Sequence, residues 1–474
     1  MKKVSFFLAL ALSLIICCNQ KMVDTKEVEI FLTTKQKERA TENYQKWCAD
    51  CHGKQLEHFV NRKWQYGNSQ SEVAKIIKIG NEDAGMPAYE ETFSPEEIQE
   101  LAAYILNASQ EDRYDFKGNQ VQSDTFRAIN QVVELDTVLS NIGNPWGMAF
   151  LPNGEFLLTI QSGEMYRVSA NGEKQVIQGV PRVLHKGQGG LLDVEIHPNF
   201  EENHWIYLSY SKPNPSNDGE ATTAIFRAKL NGNQLEEGKD IFVAKPYVST
   251  RHHYGSRIEF DREGYLYFSV GDRGRRDNHP QYLTNDCGKI HRIHDDGSIP
   301  EDNPFVNNKN AQKSIYSYGH RNPQGVAMNP ANGQIWAHEH GPKGGDEVNK
   351  IEAANNYGWP VISYGINYTG TRFTDLTEKE GMEQPLTYWV PSIAPCGMAF
   401  VTGDRYPAWK GNLLVGSLKY DYIDLCKVKN NDIISQEPIL KNIGRVRNVV
   451  MGDDGYIYVG VESPGFIFRL MPVE

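Results

Sequence analysis

The sequence predicts an all-β, six-bladed β-propeller with a small all-α domain at its N-terminus, on three observations. From about Val132 onward, one unit recurs six times: an apolar run, a turn rich in Asn, Asp or Gly, then an alternating strand. No helical stretch of any length separates these copies, which argues against an α/β fold. Upstream, residues 35–108 place apolar side chains at helical spacing around Cys48-Ala49-Asp50-Cys51-His52.

The chain opens with Lys2-Lys3, an apolar run Val4–Ile16 and then Cys17-Cys18. Residues 1–18 read as a secretory signal, too short to span a bilayer. The stop at Cys resembles a bacterial lipoprotein signal, with Cys18 favoured over Cys17 as the acylated residue. This places the protein on the periplasmic side of a bacterial membrane, held there by its N-terminal lipid; simple cleavage to a soluble periplasmic protein is the alternative.

The run Cys48 to His52 is the C-x-x-C-H attachment signature of c-type haem. The thiols of Cys48 and Cys51 would bond the porphyrin, and His52 would be an axial iron ligand. Half a zinc site would need a second CxxC or an H-x3-H partner, and neither exists. Met86, in Ala84-Gly85-Met86-Pro87 and 34 residues after His52, is the candidate distal ligand. His/Met ligation raises the potential and suits electron transfer. Thr41–Trp47 reads as a helix carrying Tyr44 and Trp47, with Ala40 just before it. Ser94-Pro95-Glu96-Glu97 is a capping box, followed by Ile98, Leu101, Ala102 and Ile105 on one face. Residues 35–108 resemble a class I cytochrome c domain, whose thin core a covalent haem would staple. Residues 109–130 are polar and weakly patterned and read as a linker.

The propeller is expected over 131–474. Its repeating units are Met148–Leu157, Val194–Tyr210, Ile258–Val270, Val326–Ala337, Met398–Gly416 and Val449–Val459. Val133–Val138 is expected to close the ring by adding a strand to the last blade. A β-sandwich is the competing architecture, disfavoured by the number of repeats. Of 7 cysteines, Cys287, Cys396 and Cys426 remain after the haem and signal positions, so this is no disulfide scaffold. A net charge of −11 without any basic block argues against a nucleic-acid partner.

Propeller loops gather at one mouth, and polar residues in them are the functional candidates. They include Gln188, His253, Asp272, Arg321-Asn322, His340 to Glu347, Tyr357, Lys419 and Arg445-Val446-Arg447. The set offers a base, a hard-cation site of carbonyls and a carboxylate, and at least four cations from separate loops. Converging cations ask for a polyanionic small ligand.

These motifs together resemble the soluble pyrroloquinoline quinone (PQQ) glucose and aldose dehydrogenases, across about residues 140–472. PQQ is a planar tricarboxylate. The resemblance implies that Lys419, Arg445 and Arg447 bind its carboxylates and quinone edge, Arg321 and Asn322 its ortho-quinone, and Tyr368 its ring. Gln188 would lie beside His253 at the substrate end. Ca²⁺ would be held by the carbonyls of Gly341 and Pro342, and a second Ca²⁺ by the Glu347 carboxylate and Tyr357 carbonyl. His253 would take the proton of an aldose anomeric hydroxyl while the hydride goes to PQQ, with Ca²⁺ and Arg321 stabilising charge, giving a lactone. Asp272 is expected to brace a loop or His253. His252 is expected to face away, because neighbours in an extended segment point to opposite sides; His291, His294 and His340 read as structural. The insertions Asn214–Thr222 and Thr369–Gln384 would shape the sugar site. Electrons would pass through the haem to a downstream cytochrome or other respiratory-chain acceptor. Two other classes compete: a PQQ-free propeller binding module, and a Ca²⁺-dependent lactone hydrolase.

Overall fold

A computed structural model describes residues 32–52, 67, 69–81, 86–110 and 123–473. The signal segment, Cys17 and Cys18 lie outside the described residues, as do Ala84, Gly85 and the Cys51 side chain.

The N-terminal domain is helical: α1 (Thr34–Trp47), α2 (Ala49–His52), α3 (Gln70–Ile79) and α4 (Pro95–Gln110). In α4 the expected box forms, with Glu97 Oε2 accepting from Ser94 N at 2.9 Å and Ser94 Oγ accepting from Glu97 N at 3.3 Å. Its expected face is buried, with Leu101 and Ala102 fully so. Helix α1 begins seven residues before the expected Thr41, because Thr33 and Gln36 form a capping box ahead of a polar first turn. Helix α3 was not foreseen, although Ser69 and Glu72 cap it in the same manner and Val73, Ala74 and Ile77 enter the core. Arg39 Nε on α1 donates to Glu100 Oε2 on α4 at 2.8 Å, tying the two together.

The remainder is six antiparallel sheets in chain order. Four strands each fall within residues 145–176, 191–243, 258–318, 323–389 and 395–439. The sixth blade joins three strands within 446–473 to Gln131–Ser140 and Thr125–Ala128. The expected closing strand therefore exists, with Val132 opposite Val473 and Ser140 opposite Phe466. The expected linker is shorter than 109–130: α4 runs to Gln110, and Thr125–Ala128 pairs with Gln131–Glu134 as an outer strand. Such an edge strand is half exposed, so it needs no apolar run to announce it. Segment 214–222, expected as a loop insertion, is largely a hairpin extension of the second blade. It borders a separate cavity of about 410 Å³. Cys287, Cys396 and Cys426 are all buried thiols with no disulfide.

Two features aim the loops at the mouth. In five of the six blades the pairing of the innermost strand slips by a bulge near its start, at 145–148, 191–194, 323–325, 395–398 and 446–448. Bulges of this kind bend a strand and re-aim its side chains. At the centre sits Arg257, only 4% exposed. It donates to Asp193 Oδ1 (3.0 Å), Gln324 O (2.9 Å) and Arg447 O (2.9 Å), and stacks over Trp146 at 4.1 Å. One guanidinium thus joins its own third blade to the first, second, fourth and sixth.

Candidate active site

His253 occupies a left-handed backbone conformation (φ 56°) at the mouth. Its amide donates to Gln188 Oε1 at 2.7 Å, and its Nδ1 lies 2.6 Å from Asp272 Oδ1. The other carboxylate oxygen of Asp272 accepts from Trp359 Nε1 at 2.8 Å, and Gly274 N donates to Oδ1 at 2.7 Å. Burial opposes ionisation of Asp272, yet the His253 and Arg321 charges hold it well below the usual carboxylate range. Burial, and then the charge of Arg321, push the His253 ring below its ordinary value, so it is neutral at pH 7. With Nδ1 engaged by a carboxylate, Nε2 is the atom left to accept a proton.

A cavity of about 340 Å³ opens beside it, lined among others by His253, Arg276, Arg321, Pro342, Trp359 and Tyr368. His252 lines it as well, its ring 4.4 Å from that of His253. The expectation that His252 faces away fails because the left-handed turn at His253 breaks strand alternation.

Arg321 is fixed by Nη1, which donates to Gly341 O (2.8 Å) and His340 O (3.1 Å). Asn322 is 1% exposed; its Oδ1 accepts from Gly255 N at 3.0 Å, while its Nδ2 has no partner. From Asn322 the polar network runs through Gln324, whose Oε1 lies 3.4 Å from Arg447 Nη1. Arg447 Nε and Arg445 Nε both donate to Glu462, at 2.6 and 2.7 Å. Arg445 Nη1 also reaches Leu418 O at 2.6 Å, beside Lys419. Arg445 and Arg447 are thus linked through Glu462, and Arg447 through Gln324 to Asn322, while of the four expected cations Arg321 is the one that lines the cavity beside His253. Gln324 belongs to the candidate motif Gly319–Gly325, whereas Glu462 went unrecognised in the sequence. Burial opposes its charge, but the two arginines draw Glu462 down to about 2, so it neutralises part of the cationic patch.

The fourth blade carries the candidate cation ligands. Asp346 accepts from Gly341 N (2.8 Å), Ile393 N (2.7 Å) and Ala394 N (2.9 Å), pinning the Gly341–Pro342 loop. Glu347 pairs in register with Glu339, and burial followed by that neighbour's charge lifts its carboxyl to about 8. Tyr357 stacks on His320, whose Nδ1 bonds Glu339 Oε1 at 2.8 Å, so Tyr357 reaches Glu339 only through His320. Among the described residues no cluster of three His, Cys or carboxylate ligands exists, so backbone carbonyls would supply much of any cation site. His291 is satisfied by Ser314 and the Asp286 carbonyl, in keeping with a structural role.

In the helical domain, Tyr44 Oη donates to His52 O (3.2 Å) and Tyr89 Oη to Trp47 O (3.0 Å), clamping both ends of the Cys48–His52 segment. Gly80 (φ 68°) turns the chain so that Asn81 and Met86 exchange backbone hydrogen bonds. Met86 and Cys48 border the same core.

A six-bladed propeller with this mouth, joined to a helical domain bearing C-x-x-C-H, defines a sugar-dehydrogenase propeller carrying a cytochrome c-type domain. Residues 142–469 match the family model Glucose / Sorbosone dehydrogenase, and residues 35–105 match the model described as cytochrome c oxidase, cbb3-type, subunit III. The chain belongs to the Glucose / Sorbosone dehydrogenase family. It is 39% identical to the aldose sugar dehydrogenase YliI of Escherichia coli (strain K12), over 72% of this chain and 93% of that one. It is 33% identical to quinoprotein glucose dehydrogenase B of Acinetobacter calcoaceticus, over 72% and 87%. The PQQ-bound aldose sugar dehydrogenase of Streptomyces coelicolor superposes with a TM-score of 0.60 at 25% identity, over 73% of this chain and 99% of that one.

Proposed function

We propose that the protein oxidises the anomeric carbon of an aldose to a lactone, with PQQ as the bound oxidant, and delivers the electrons through its own haem c. One observation carries this reading: the neutral, carboxylate-braced His253 shares a cavity with Arg321. The residues fit the coenzyme, since the unpartnered Asn322 Nδ2 is a buried donor awaiting an acceptor. Lys419, Arg445 and Arg447 suit its carboxylates. Glu347, half-buried beside Glu339, suits a divalent cation, as do the Gly341, Pro342 and Tyr357 carbonyls.

When bound, PQQ supplies an electrophilic carbonyl carbon that accepts the two electrons of the anomeric hydride. His253 Nε2 takes the anomeric hydroxyl proton, and Asp272 keeps the ring oriented and favours its protonated form. Arg321 is aimed where negative charge builds, held there by two carbonyls. Gln188 fixes the His253 backbone. Covalently held haem supplies a one-electron carrier; a one-electron acceptor outside the chain reoxidises it between the two electrons, and the two protons go to solvent. The N-terminal segment supports placement at the periplasmic face of a membrane through a lipid on Cys18.

In the full chain loaded with PQQ and Ca²⁺, aldose should reduce the haem without added dye, at a rate independent of protein concentration. Haem reduction that rises with protein concentration would refute intramolecular transfer. In the double variant Cys48→Ala/Cys51→Ala, covalent haem should be lost while sugar oxidation with an artificial dye continues.

The pH profile offers a second check. Because His253 titrates below the ordinary imidazole value, kcat/KM should hold down to about pH 6.5 and fall only in more acid solution. Asp272→Asn removes the charge that favours the protonated ring, so its acid limb should move to lower pH as kcat drops. An upward shift would contradict this assignment.

A further inference from the structure

The contact between the two domains lies at a telling place. Trp47 is the last residue of α1 and directly precedes Cys48. On the helical side its ring meets Tyr89 and Phe93 edge-on, at 6.4 and 6.2 Å. On the propeller side it lies against Gly370, where an added Cβ would come within 3.0 Å of its Cη2. Lys343 Nζ sits 4.3 Å from the Trp47 ring centroid and donates to Lys46 O at 3.3 Å.

Both propeller residues lie just outside the cavity, each next to a segment that lines it. Lys343 follows Pro342, which lines the cavity, and its amide bonds Ile366 O at 3.1 Å. Gly370 closes a turn with Asn367 (2.8 Å) that presents Tyr368 to the cavity. Arg276, another residue lining the cavity, donates to Asn367 Oδ1 at 3.1 Å and braces that turn. One face of the turn thus borders the sugar site, and its other face receives the residue next to the haem-attachment signature.

We propose that Trp47, Lys343 and Gly370 form a docking joint that holds the Cys48–His52 segment at the rim of the cavity. This joint, more than the tether between the domains, governs how fast electrons leave the propeller. The inference rests on the intramolecular transfer proposed above. Glycine suits position 370: its positive φ (85°) disfavours a side chain, and a Cβ there would crowd the indole. The cation over the ring adds attraction without burying a charge.

The test uses the full chain and the variants Lys343→Glu, Lys343→Arg and Trp47→Leu, the last keeping apolar filling against Tyr89 and Phe93. In cofactor-free protein, amide hydrogen exchange over 44–48 and 366–371 should quicken in Lys343→Glu and Trp47→Leu and return toward wild type in Lys343→Arg. With PQQ and Ca²⁺ bound, bleaching of the quinone band by aldose should be unchanged in Lys343→Glu, while haem reduction slows about tenfold. Unchanged exchange and unchanged haem reduction in Lys343→Glu would overturn the joint and leave intramolecular transfer standing. Wild-type protein whose quinone bleaches but whose haem stays oxidised would overturn the transfer itself, and with it the joint's role in electron flow.

Discussion

His253→Asn is expected to lower kcat for aldose oxidation by about 10²–10⁴-fold, the usual contribution of a positioned general base. Asn retains polarity and approximate size but has no basic atom, so the anomeric hydroxyl must lose its proton to water. The surrounding geometry makes the loss specific. Asp272 is anchored by Trp359 and Gly274, and the His253 amide by Gln188, so the pocket keeps its shape without the imidazole. Coenzyme affinity should therefore change little, because Arg445, Arg447 and Lys419 are untouched. Steady-state turnover with a dye acceptor, beside PQQ titration, separates the two quantities. A variant within about threefold of wild type in kcat would remove His253 as the base.

Arg257→Leu should be the most damaging substitution for stability, costing about 3–5 kcal/mol, the range found when one partner of a buried ion pair is removed. Arg257 is almost wholly buried and donates into three other blades at once. Its loss strands the Asp193 carboxylate, which burial already pushes above its usual range despite the arginine. It also leaves the Gln324 and Arg447 carbonyls short of a donor. Chemical denaturation of the apo-protein measures the cost. Arg257→Leu/Asp193→Leu should recover part of it, since the uncompensated acid is then gone. A single variant as stable as wild type would show that the ring closes without its central cation.

How much of this was legible in the chain varies by element, for physical reasons. The six units coincide with the first two strands of each sheet, because both are buried and carry apolar runs; the alternation expected of the second strand is absent, since in five blades it is buried at every residue. The closing strand was readable because Val133 and Leu135 alternate with Glu134 and Asp136 along it. The outer strand Thr125–Ala128 was not, being half exposed and lacking an apolar signature. Helix α3 left a signal in Ser69-Gln70-Ser71-Glu72 that went unused. Pro145-Trp146-Gly147, Pro323-Gln324-Gly325 and Pro395-Cys396-Gly397 form another such signal, marking three of the bulged inner strands.

At the site, motif residues such as Arg321 and His253 stood out because they sit in polar loops between apolar runs. Glu462 did not. It lies just past the end of strand Ile457–Val461, and its bonds to Arg445 and Arg447 follow only from the pairing of Val446 with Val461. The adjacency of His252 and His253 was misjudged because the sequence does not reveal a left-handed residue that is not glycine.

The pairing of Gln131–Ser140 with Phe466–Val473 also bears on biosynthesis. Gln131–Ser140 is made before the other five blades and its partner Phe466–Val473 after them, so one edge of it waits, exposed, until those blades have been synthesised. A product truncated by its final turn of sheet would be a ring left unlatched at one seam, a ready substrate for proteases and not a slightly shorter enzyme.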